Sequence, residues 1–137
     1  MKYLLQILLV ILCNQAISQD ISGVWYGNYE KQLLIPHPTQ LVVEMSISSD
    51  TLIKGASHLY YNHNKYEHYV IHGIYHQKDS TVYFKEDSVL AIRLGLMGSN
   101  CAGNYKMKLR ITDSSYILEG KWRDNEKGFL NCPVSKV

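Results

Sequence analysis

Asn104-Tyr105-Lys106-Met107-Lys108-Leu109-Arg110-Ile111 is the stretch that decides the fold. In an extended chain Tyr105, Met107, Leu109 and Ile111 fall on one face, and Lys106, Lys108 and Arg110 on the other, because strand side chains alternate. A strand with one apolar and one charged face suits an antiparallel sheet that buries one side and wets the other. Leu41, Val43, Met45 and Ile47 alternate with Val42, Glu44 and Ser46 in the same way.

Working outward, short polar clusters at 48–51, 62–65, 77–80 and 113–115 supply turn chemistry between such stretches. Strands are predicted near 21–30, 40–48, 51–60, 66–77, 80–86, 103–112, 115–123 and 128–136. The predicted class is all-β, an antiparallel up-and-down β-barrel of about eight strands, since closure removes the unpaired edges of an open sheet. Two connections are longer. Residues 31–39 carry Pro36-His37-Pro38, which forbids regular pairing. Residues 87–100 hold Leu90, Ile92, Leu94, Leu96 and Met97 between polar positions and Gly95 and Gly98. Two readings of that segment stay open: a lid over a barrel mouth, with Leu94 and Met97 touching a ligand, or a short helix plugging one end.

The N-terminus predicts export. Lys2 precedes a nearly unbroken apolar run from Leu4 to Cys13, and Ala16-Ile17-Ser18 puts small residues where a signal peptidase reads. Residues 1–18 are thus expected to leave as a signal peptide, with a single domain at 19–137 and a periplasmic or extracellular destination. No membrane span is expected in the mature chain. The net charge of +2 falls to +1 without Lys2, and the basic residues alternate along strands, so no nucleic-acid partner is indicated. Two cysteines remain, Cys101 and Cys132, and an oxidising compartment predicts that they pair. A bridge closing about 32 residues stabilises by roughly 3 to 4 kcal/mol. Two buried thiols or a redox pair are the weaker alternatives, there being no C-x-x-C spacing.

Gly23-Val-Trp25, Gly73-Ile-Tyr75, Gly103-Asn-Tyr105 and Gly120-Lys-Trp122 each place glycine two residues before a large aromatic. Both then share a strand face, and the glycine leaves room for the ring or a bend. The opening Ile21-Ser-Gly-Val-Trp-Tyr-Gly27 resembles the G-x-W start of the calycin barrels, the lipocalins and avidins. Over nearly its whole length the chain is similar to small exported proteins common in Bacteroidota, through Cys101-Ala-Gly-Asn-Tyr105, Leu118-Glu-Gly-Lys-Trp122 and Cys132-Pro133. The resemblance implies a calycin-like fold. It implies no activity, because its motifs are scaffold residues, and neither the lipocalin T-D-Y segment nor avidin's biotin-binding set is present.

Five of the six histidines crowd into 58–76, among five tyrosines. On a strand His68, His72 and His76 share a face, but residues four apart stand about 13 Å apart and cannot share one ion. A metal needs a neighbouring strand. His58 faces His68 if the hairpin pairs symmetrically about His63, and the two, with Glu67 nearby, would then suit zinc or copper. Otherwise they are half-exposed strand histidines, or a patch that charges together below about pH 6.5. Tyr61 and Tyr66 head a tyrosine-rich surface suited to recognition, or pack as strand formers in the barrel wall. Glu44, Glu67, Glu86 and Asp87 are acids whose spacing specifies no single reaction. No catalytic residue and no cofactor is indicated. The expected function is a non-enzymatic binding module taking a small apolar molecule inside the barrel, or alternatively a macromolecule-binding or enzyme-inhibitor protein using the 58–76 hairpin.

Overall fold

Each alternating stretch becomes a strand in the computed structural model, which describes residues 20–29, 38–48, 51–62, 64–94, 102–124 and 135–137. The strands are β1 (Gly23–Gly27), β2 (Gln40–Ile47), β3 (Leu52–Tyr61), β4 (Lys65–His76), β5 (Thr81–Arg93), β6 (Gly103–Ile111), β7 (Tyr116–Asp124) and β8 (Ser135–Lys136). Each pairs antiparallel with the next, in the order β1 to β8, and the sheet curls into a half-barrel. The predicted all-β, up-and-down class is what the chain adopts. No ladder joins β1 to β8 among the described residues. Side chains link the two flanks instead: the Tyr29 hydroxyl bonds the Tyr105 hydroxyl, and the Tyr29 ring stands edge-on to Trp122 at 6.4 Å.

Alternation determines the inside. Leu41, Val43 and Met45 of β2, Ile71 and Tyr75 of β4, and Tyr105, Met107 and Leu109 of β6 are buried, while Lys106, Lys108 and Arg110 stay in water. The β2–β3, β3–β4 and β4–β5 turns each carry one residue in left-handed backbone. Thr51, Asn64 and Ser80 adopt left-handed backbone with φ of 65°, 57° and 53°. Ser80 closes a single 3₁₀ turn at Gln77–Asp79. In the glycine–aromatic pairs, a Cβ on Gly103 would lie 2.1 Å from the Trp122 indole nitrogen, and one on Gly120 would lie 2.0 Å from the Lys106 carbonyl oxygen. Gly23 differs, with open space around it and φ of +143°, so there the backbone itself requires glycine.

One expectation is corrected. Residues 87–93 were predicted as part of a connection, and they continue β5. This segment pairs with β4 alone, since the β5–β6 ladder ends at Lys85 opposite Asn104. Register shifts between His68 and Tyr69 and between Val70 and Ile71 leave Leu90 and Asp87 with no opposite residue. Such bulges break the period-two pattern, so the segment does not read as a strand. Leu94 follows the strand end, half-buried. Met97, Cys101, Cys132 and residues 1–18 lie outside the described residues. Among those described, no helix is long and apolar enough to cross a membrane.

Candidate functional site

The up-and-down order sorts the connections. The β2–β3, β4–β5 and β6–β7 turns lie at one end, and the β3–β4 turn with the last residues of β1, β5 and β7, Gly27, Arg93 and Asp124, at the other. The first end is packed with Met45, Ile53, Tyr75, Val82 and Leu109. Towards the second end the inner face turns polar. Ser57 of β3, Glu67 and Tyr69 of β4, Glu86 of β5 and Tyr105 of β6 are all buried, joined by Tyr29 just beyond β1 and by the half-buried Tyr61.

Glu86, 1 % exposed, is the hub. Its Oε1 accepts from the Ser57 hydroxyl at 2.7 Å and the Tyr105 hydroxyl at 3.0 Å, and its Oε2 from the Gly103 N–H at 2.8 Å. The last bond falls just past the final β5–β6 ladder pair, so the carboxylate replaces a main-chain acceptor and holds the start of β6. Burial pushes the Glu86 carboxyl from 4.5 up to about 7, against the pull of the Ser57, Gly103 and Tyr105 hydrogen bonds. The Trp122 indole adds to that pull although it falls short of hydrogen-bond geometry.

Glu67 is the second carboxylate, fully buried, and its Oε2 accepts from the Tyr61 hydroxyl at 2.8 Å. The phenols register the acids. Burial first, then the charge of Glu67, raises Tyr61, and burial followed by Glu86 raises Tyr29 and Tyr105, so all three stay protonated donors at ordinary pH. No lysine, arginine or histidine is buried among the described residues. The arrangement offers acceptors and donors beside aromatic faces, including the Phe84 ring stacked on Tyr105 at 4.4 Å.

The outer face of the 58–76 hairpin carries the histidines. His58 lies directly opposite His68, as symmetric pairing predicts, with ring centroids 4.6 Å apart. Tyr66 stacks on His68 at 4.7 Å and Tyr60 meets it edge-on at 5.6 Å. Two placements differ from expectation. Glu67 points inward, away from the histidine pair, and the carboxylate near His58 is Glu44 of β2, at 3.5 Å. Tyr61 and Tyr66 occupy opposite faces, so they do not form one surface. Asp87 is also outside, against His72 at 3.6 Å and Lys85 at 3.1 Å. An open groove of about 800 Å³ lined by Ile74, His76 and Tyr83 lies beside the β4–β5 turn, remote from the interior acids. It is shallow surface and gathers no buried carboxylate.

Parity on the strands was the missed signal. Glu67 stands two residues before Tyr69, and Glu86 two after Phe84, so both share the face of the core aromatics. Compared with protein-family models, curated proteins and solved structures, the chain has no match in any of the three.

Proposed function

We propose that the chain is an exported, non-enzymatic binding module of calycin-like form, which takes a small molecule into the polar end of the half-barrel. One observation carries this reading: two buried carboxylates and four tyrosines gather at one end of a mainly apolar interior. Buried ionisable groups cost stability, and a few convergent polar groups among aromatic rings are what ligand pockets use to orient a guest. The guest is therefore amphipathic, its apolar body against Tyr29, Tyr105 and Trp122 and its polar group among Tyr61, Glu67 and Glu86. That refines the small apolar molecule expected from the pattern of strands.

The test uses the neutral probe N-phenyl-1-naphthylamine. Saturable uptake at one site is expected, displaced by an envelope-lipid extract and accompanied by a change in tryptophan fluorescence. Tyr61→Phe deletes the hydroxyl that reaches Glu67 and is expected to weaken uptake by about tenfold, the worth of one buried hydrogen bond, while the buried Glu67 Oε2 loses that donor and the melting temperature falls by several degrees. Absence of uptake, or equal affinity in the variant, contradicts this reading.

A second reading rests on Tyr60, which is 37 % exposed, and Tyr66, which stacks on His68 on the outer face. Together they form a platform for a macromolecule. Tyr60→Ala with Tyr66→Ala is then expected to abolish capture of that partner without lowering the melting temperature by more than a few degrees; unchanged capture removes the platform from consideration.

A further inference from the structure

The outer face holds a feature that interior binding does not use. His58 and His68 stand directly opposite on β3 and β4, the arrangement that brings two side chains on one sheet face closest together. Both His58 nitrogens and the His68 Nε2 are shut from water and find no hydrogen-bond partner among the described residues. Buried polar atoms are ordinarily satisfied, and the unprotonated nitrogen of each neutral imidazole offers a lone pair that a cation can take. The Glu44 side chain, 60 % exposed, brings a carboxylate oxygen to 3.5 Å from His58 Nε2.

We infer that His58, His68 and Glu44 form a binding site for a single divalent cation of the imidazole-preferring kind, zinc or copper. Neutral imidazoles with one carboxylate are the donor set these ions favour, and water completes the coordination. As the side chains stand, no three His, Cys, Asp or Glu among the described residues surround one point. The site closes when the two rings turn from their edge-to-face packing at 83° and the exposed Glu44 swings in. That rearrangement makes binding weaker than in a preformed cage. His72 and His76 are spoken for elsewhere, against Asp87 and the Tyr83 ring.

The experiment titrates zinc alone into the full chain after chelator treatment, by calorimetry. One zinc ion per chain is expected, with a rise in melting temperature. His58→Ala and His68→Ala each weaken binding by at least about tenfold, Glu44→Gln weakens it less, and His72→Ala leaves it unchanged. Imidazole ¹⁵N spectra of the unmutated protein provide a readout that does not depend on any variant folding. Zinc should shift the His58 and His68 nitrogens and not those of His72 and His76. No saturable binding, undiminished binding in His68→Ala, or imidazole shifts confined to other histidines overturns the inference.

Discussion

Glu86→Ala is expected to lower the unfolding free energy by roughly 3 kcal/mol at pH 5, measured by urea denaturation. The substitution leaves the Ser57 hydroxyl, the Tyr105 hydroxyl and the Gly103 N–H buried without their acceptor, and each orphaned donor costs on the order of 1 kcal/mol or more. Glu86→Gln behaves differently, because its amide can donate to the two hydroxyl oxygens while its carbonyl accepts from Gly103. The same group predicts a pH profile. The folded chain holds the Glu86 proton up to about pH 7, whereas the unfolded chain releases it near 4.5. Between these values the native state binds more protons, so this stabilising contribution is full below about 4.5 and disappears as pH rises through 7, a change of roughly 3 kcal/mol. Glu86→Gln should flatten that slope. An unchanged slope in the variant would show that another group titrates.

Gly120→Ala is expected to cost at least about 3 kcal/mol or to prevent folding, at the upper end of overpacked substitutions. The added Cβ would sit 2.0 Å from the Lys106 carbonyl oxygen and 2.6 Å from the Met107 Cα. Both are main-chain atoms of β6, directly across the ladder from Gly120, and no rotamer change moves them. Gly23→Ala meets open space and strains only its own backbone at φ of +143°, so the smaller loss is expected there. Thermal melts of the two variants give the ranking. Equal melting temperatures would mean that β6 and β7 are further apart than the register implies.

Strand positions and hairpin order were legible because each tight turn is polar and each paired strand buries one face, as Tyr105, Met107 and Leu109 do between basic residues. The register of the 58–76 hairpin was legible too, since symmetric pairing about its turn puts His58 opposite His68. The far half of β5 was not. Its bulges at Asp87 and Leu90 shift the alternation, and Val89, Leu90 and Ile92 lie exposed, so local pattern says nothing of the pairing with β4. Glu67 and Glu86 were hidden for another reason. A carboxylate is ordinarily read as surface, and the hydroxyls of Tyr61, Ser57 and Tyr105 and the Gly103 N–H, which come from four other positions in the chain, help make these two tolerable inside. Such partners meet only through tertiary folding.

Amide and aromatic chemical-shift mapping during a titration with N-phenyl-1-naphthylamine tests the interior site most directly. The interior reading predicts shifts concentrated at Tyr61, Glu67, Tyr69, Gly103 and Tyr105, the residues that surround the buried acids. Shifts confined to Tyr60, Tyr66 and His68 on the outer face, or no saturable shifts at all, would contradict it.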